Sequence, residues 1–216
     1  MNPIKAVIFD LDGVIVTTDE FHFLAWKQLA DAEGIPFSRD DNDRLRGVSR
    51  MESLDILLEK AGRSYSDGEK LAMADRKNTI YRDLLVNLSP ADILPGVNAV
   101  LADLRGRGIR LAIGSSSKNA RPILKAIGMD SSFDVIVDGT DIMRSKPDPE
   151  VFVLAAARLG IAAGDCLVVE DADAGVDAGV AAAMRVLAVG SAAGHPAAWA
   201  RASGLDTVDP LVFSMQ

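Results

Sequence analysis

Ala6-Val7-Ile8-Phe9-Asp10-Leu11-Asp12-Gly13-Val14 is the stretch on which the fold turns. Its four leading apolar residues, two of them β-branched, have the length and character of a buried strand, and Gly13 lets the chain leave it through a tight loop. Two carboxylates, Asp10 and Asp12, therefore lie at the strand's C-terminal end. In open α/β sheets that edge is where ligands bind, because the loops there vary above a rigid scaffold. Turn chemistry accounts for one aspartate but not for a second beside it, so the pair reads as functional.

Outward from this strand, residues 17–90 are helical in pattern and strand-poor, with amphipathic stretches near 19–32, 50–61 and 67–87. After Leu94-Pro95-Gly96 helix and strand alternate, which indicates a parallel sheet covered by helices. Helices are expected over 97–107, 119–127 and 151–159, and strands over 109–113, 133–137, 166–169 and 186–189. A single strand cannot form a sheet with helices, so the helical segment reads as an insertion after strand one. The expectation is an α/β, Rossmann-like core of residues 1–16 and 91–216 with a helical cap domain over 17–90. The tail from Ser191 is weakly patterned and receives no role.

At 216 residues, 49% hydrophobic and 25% charged, the chain has the composition of a globular protein that can bury a good core. No run approaches the ~18 apolar residues that would span a bilayer, so no membrane partner is expected. Met1-Asn2-Pro3-Ile4-Lys5 runs straight into the strand, leaving no room for a signal peptide; a cytoplasmic location is the expectation. The net charge of -8 disfavours nucleic acid and means that an anionic substrate must be met by individual lysines and arginines. The lone Cys166 lies in an apolar stretch, can form no intrachain disulfide and is expected to pack as a small hydrophobe. A monomer is expected.

Strand ends are where partners of Asp10 belong. Strand one ends in Asp10 and Asp12, strand two in Ser115, and strand four in Glu170-Asp171, all on one edge; Lys146 lies in a loop before a helix that Pro147 or Pro149 could start. Carboxylates converging there would repel one another without a cation, which argues for a hard divalent metal held by Asp10, Asp12, Glu170 and Asp171, with Mg2+ the natural candidate. Such a site implies phosphoryl chemistry. Asp10 would attack phosphorus and form an aspartyl-phosphate. Asp12, its side chain turned from the metal and its backbone carbonyl towards it, would be the acid/base. Ser115 would bind a phosphoryl oxygen and Lys146 would neutralise developing charge. Taken singly, Lys146 also reads as a solvated lysine and Ser115 as a helix cap.

Asp10-Leu11-Asp12-Gly13, Ser115, Lys146-Pro147 and Glu170-Asp171 resemble, in order and spacing, the four motifs of the haloacid dehalogenase superfamily of phosphotransferases. The resemblance runs through the whole chain. It departs from the commonest pattern at Gly179 and Ala183, where alanine and glycine are more usual. It implies that the insertion is a mobile cap closing over the site.

Within that insertion Thr18, His22 and Trp26 are spaced four apart, so they share one face of the first helix, beside the row Phe21, Ala25 and Leu29. They read as a polar pocket or as packing. Arg46-Gly47-Val48-Ser49-Arg50 combines a flexible glycine with two arginines able to grip phosphate, or is a charged loop. Arg76-Lys77-Asn78 carries the same two readings.

Together with Ser89-Pro90-Ala91-Asp92 and Ser115-Ser116-Ser117-Lys118-Asn119, these stretches resemble the β-phosphoglucomutases, a narrower group within the superfamily. That likeness implies conversion of β-glucose 1-phosphate to glucose 6-phosphate through β-glucose 1,6-bisphosphate, with Mg2+ bound and a small sugar phosphate as the partner. It implies substrate contacts from Thr18, His22, Trp26, Gly47, Val48, Ser49, Arg50, Lys77, Ser116, Ser117, Lys118 and Asn119. Arg50 would hold the phosphate not being transferred, and His22 with Lys77 would couple cap closure to binding. Two alternatives stand beside this reading: a phosphatase for small sugar or carboxylic phosphates, and a non-catalytic sugar-phosphate sensor, against which the intact Asp10 and Asp12 argue.

Overall fold

A strand whose residues are all fully buried can lie only at the middle of a sheet, and β1 (Ala6–Phe9) does. The computed structural model describes residues 3–45 and 48–214. Its sheet adds β2 (Arg110–Gly114), β3 (Val135–Val137), β4 (Cys166–Glu170), β5 (Arg185–Ala188) and β6 (Ala200–Arg201), in the spatial order β3-β2-β1-β4-β5-β6. Every neighbouring pair is parallel. Phe9 stands beside Ile113 on one flank and Val169 on the other, so β1, β2 and β4 end level. The strand order reverses between β1 and β4, where α/β sheets open a crevice at their carboxyl ends.

One face of the sheet packs Ile8, Val168 and Val186 against Phe152 and Ala155 of α7 (Glu150–Leu159) and Val176 of α8 (Asp173–Ala181). Pro149 is the N-cap of α7, so the helix starts where the second of the two prolines allows. The helices α5 (Val97–Gly106) and α6 (Ala120–Ala126) complete the βα alternation. Two elements of the sheet and the helices that cover it lie outside the sequence expectation. The two-residue β6 is too short to show alternation, and it pairs with β5 through Leu187 and Ala200. The helix α8 carries Gly175 and Gly179, which lower helix propensity but are needed for close approach: a Cβ on Gly179 would lie 2.6 Å from Val186 Cγ2.

The chain folds as two compact units, residues 1–17 with 89–216 and residues 18–88. The second is helical: α1 (Asp19–Glu33), α2 (Arg39–Asp43), α3 (Arg50–Leu58) and α4 (Asp67–Leu84). Reciprocal capping boxes, Ser38 with Asp41, Ser49 with Glu52 and Ser66 with Glu69, start α2, α3 and α4, satisfying amides that a helix N-terminus leaves open. The unit has its own core of Trp26, Leu29, Leu54, Leu57, Met73 and Ala74. Among the described residues no helix is long and apolar enough to cross a membrane.

Candidate active site

Asp10 leaves β1 with its amide bonded to the Val169 carbonyl (2.9 Å), which fixes it at the end of the central strand. Lys146 Nζ donates to Asp10 Oδ1 and to Glu170 Oε1, each at 2.5 Å, with 2% of the lysine exposed. The ring of Phe152 lies 4.7 Å from the same ammonium. Lys146 is therefore no solvated lysine: it is a buried cation between two carboxylates. The other Glu170 oxygen accepts from the amides of Asp171 (2.7 Å) and Ala172 (2.9 Å), so that carboxylate is braced by the start of the α8 segment as well as by the lysine.

Asp171 lies over Gly13, whose φ is +90° and on which a Cβ would fall 2.0 Å from Asp171 Oδ2. The glycine of the opening motif is thus required twice, for its left-handed backbone and for the space its missing side chain leaves.

Oxygens of Asp10, Glu170 and Asp171 lie within 4.8 Å of one another. Burial holds the Asp10 carboxyl well above the usual range; Lys146 opposes this and Glu170 adds to it. Asp171 is raised by burial and then by the neighbouring Glu170, Asp10 and Asp12 charges. Two carboxylates with raised affinity for protons, in an all-oxygen donor set, fit a hard divalent cation, which would supply the charge that protons otherwise bring. The half-buried Asp12 carboxylate is not one of the three.

The loop after β2 places Ser115, Ser116, Ser117, Lys118 and Asn119 at the same edge. Ser115 is 3% exposed and its Oγ accepts from the Ser117 amide (3.1 Å), while Ser117 Oγ accepts from the Asn119 amide (3.2 Å). Ser116 Oγ accepts from the Lys146 amide (3.4 Å), tying this loop to the lysine's. Lys118 is exposed and Asn119 buried. Gly139 admits the loop: a Cβ there would meet the Ser116 carbonyl at 2.3 Å.

In the helical unit Thr18 Oγ1 and Tyr81 Oη are 2.8 Å apart, and the half-buried His22 ring lies 4.1 Å from the Tyr81 ring. Lys77 Nζ is 2.8 Å from His22 Nδ1, and the His22 pKa lies well below the ordinary value through burial and then the Lys77 and Arg50 charges. Trp26 belongs to the unit's core at 2% exposure. Arg50 donates to Asn78 Oδ1 (2.8 Å), Ser49 is the N-cap of α3, and Val48 beside it is half-buried. Gly47 lies outside the described residues. Sequence reading missed Phe152 under Lys146, Gly175 against Glu170, and Tyr81. The last, one helical turn after Lys77, could have been found from its spacing.

Residues 4–183 match the family model described as haloacid dehalogenase-like hydrolase. A β-phosphoglucomutase of Bacillus subtilis is 46% identical over 194 residues, covering 89% of this chain and 85% of that protein. A phosphorylated carbohydrates phosphatase of Thermotoga maritima is 32% identical over 183 residues, covering 83% and 82%. The crystal structure of a β-phosphoglucomutase from Clostridium difficile superposes with a TM-score of 0.88 at 39% identity, covering 94% of this chain and 92% of that one. With a parallel sheet that brings the Asp10-Leu11-Asp12-Gly13 motif, the buried lysine and the acidic pair to one edge, the chain belongs to the haloacid dehalogenase-like hydrolase family.

Proposed function

We propose that the protein is a phosphotransferase of the mutase type, interconverting β-D-glucose 1-phosphate and D-glucose 6-phosphate through β-glucose 1,6-bisphosphate. The observation that carries this is Asp10 held between Lys146 and the Glu170-Asp171 pair in a chain 46% identical to a β-phosphoglucomutase. Asp10 is the nucleophile and becomes the aspartyl-phosphate. Asp12 protonates the leaving oxygen and deprotonates the accepting hydroxyl. Ser115 holds a phosphoryl oxygen, and Lys146 steadies charge on the group in transfer.

Asp10, Glu170, Asp171 and the Asp12 backbone carbonyl would hold Mg2+, which when bound offsets the charge of carboxylates and phosphoryl oxygens. The division into a catalytic core, residues 1–16 with 91–216, and a helical cap, 17–90, is part of the proposal. So are sugar-phosphate contacts from Thr18, His22, Trp26, Gly47, Val48, Ser49, Arg50 and Lys77 of the cap and from Ser116, Ser117, Lys118 and Asn119 of the core. We assign it to the cytoplasm as a monomer acting on a small molecule, without nucleic acid; the net charge of -8 supports the last point.

The test is incubation with β-glucose 1-phosphate, Mg2+ and a trace of the bisphosphate, with glucose 6-phosphate read by a coupled dehydrogenase. Product from the β anomer and none from the α anomer is expected. Free phosphate from several sugar phosphates without isomerisation would replace this reading by a phosphatase, which the 32% identity to a carbohydrate phosphatase favours as the alternative.

A further inference from the structure

Five side chains of the helical unit form a cluster whose chemistry goes beyond packing. Lys77, 3% exposed, places its Nζ 4.7 Å from the ring centroid of Trp26 and 4.7 Å from that of Tyr81. The same Nζ is 2.8 Å from His22 Nδ1. Tyr81, 1% exposed, lies against the His22 ring at 4.1 Å with the planes 34° apart, and its hydroxyl meets Thr18 Oγ1.

A lysine–histidine contact has two solutions. A neutral amine could accept a proton from Nδ1, or an ammonium, which has three donors and no acceptor, could donate to a bare Nδ1. Two aromatic faces turned to Nζ decide between them, because ring quadrupoles attract a cation and do nothing comparable for an amine. With Nδ1 obliged to accept, a neutral imidazole carries its hydrogen on Nε2. The alternative of an imidazolium beside the ammonium is opposed by burial and by the Lys77 and Arg50 charges, which depress the His22 pKa.

We propose that Tyr81 is a positioning residue which, with Trp26, cages the Lys77 ammonium and so holds His22 as its Nε2–H tautomer, making the imidazole a hydrogen-bond donor to an oxygen of the substrate. His22 then serves recognition of an oxygen-rich ligand and is never a base at Nε2. The ligand rests on the mutase reading; the tautomer does not.

Only two histidines occur in the chain, so 15N-detected ring correlations are readily assigned. His195, in the other unit, accepts from the Ala197 amide at Nδ1 and is the internal control. At neutral pH the uncomplexed protein should show His22 with a pyridine-like Nδ1 and a pyrrole-like Nε2. Tyr81→Leu should draw the two His22 shifts together, leaving His195 in place, and Tyr81→Phe, which keeps the ring face and loses only the hydroxyl, should preserve their separation. In mutase assays Tyr81→Leu should raise KM more than it lowers kcat. A protonated or Nδ1–H His22 in the wild type would overturn the proposal, as would an unchanged His22 in a folded Tyr81→Leu, or equal collapse in Tyr81→Phe. A protein that lacks mutase activity yet shows the caged tautomer would overturn only the ligand assignment.

Discussion

Gly175 passes so close to Glu170 that a Cβ on it would lie 1.8 Å from Glu170 Oε1. The carboxylate cannot retreat, because its two oxygens are engaged by Lys146 and by the amides of Asp171 and Ala172. The first turn of α8 is therefore shaped around the acid that anchors the buried lysine.

Gly175→Ala tests this. In an exposed helix the change would stabilise by up to about 1 kcal/mol. Here overpacking, of order 1–3 kcal/mol, should win. Urea unfolding should report a lower midpoint, and phosphoryl transfer should fall roughly tenfold or more as Glu170 and Lys146 shift. A variant more stable than the wild type would show that the close approach is not a constraint.

Asp12→Ala should lower mutase turnover by about 10²–10⁴-fold, the usual contribution of a positioned acid/base, with the fold retained by circular dichroism. A loss of only a few-fold would move the acid/base role elsewhere.

Arg50→Ala should leave kcat close to the wild type and raise KM roughly tenfold or more, the expected effect of losing a charge-assisted hydrogen bond to phosphate. Steady-state kinetics with β-glucose 1-phosphate separates the two; an unchanged KM removes the phosphate-gripping role.

The metal-free protein should lose thermal stability as pH rises from about 6.5 through 8. Asp10 and Asp171 have native pKa values raised by burial and by their acidic neighbours, so the native state holds more protons than the unfolded chain across this range. Stability then falls with rising pH. His22, whose native pKa is depressed, acts with opposite sign but only below its unfolded value near 6.5, outside this window. Divalent cations should flatten the slope, stabilising more at pH 8 than at pH 6.5, as calorimetry with and without chelator can read. A chelated protein whose midpoint is flat or rises would contradict the raised carboxyls.

Cys166 is fully buried, and burial, then Asp165, push its thiol up to about 11. Alkylation by iodoacetamide at pH 8 should be negligible in the native protein and prompt in urea, since the thiolate is the reactive form. Rapid labelling of folded protein, followed by mass spectrometry, would refute this.

Five of the six strands were legible because each is a short apolar run between breakers, and the strand-end carboxylates because two acids side by side exceed what turn chemistry calls for. Boundaries moved for tertiary reasons. Strand three was expected from residue 133 but begins at Val135, because Phe133 packs edge-on against Phe9 and the Asp134 carboxylate takes the Leu111 amide. Gly175 and Gly179 hid α8, since their packing purpose is visible only beside Glu170 and Val186. Trp26, which the sequence left open between pocket and packing, lies in a hydrophobic core and also offers its ring to Lys77. The partnership of Lys146 with Glu170 carried no local signal, because proximity across strands leaves no periodicity to read.

The central position of β1 has a consequence for how the molecule is made. Lys5 bonds to Asp165, 160 positions later, and Ala6 pairs with Cys166, so the strand leading to Asp10 is synthesised long before its β4 neighbour exists. Helices of residues 18–88 pack among themselves and can form while the ribosome is still at work. The apolar run ahead of Asp10 has no strand to pair with until residues 110–114 are made and only one neighbour until residues 166–170 follow, so it is exposed to aggregation for much of translation.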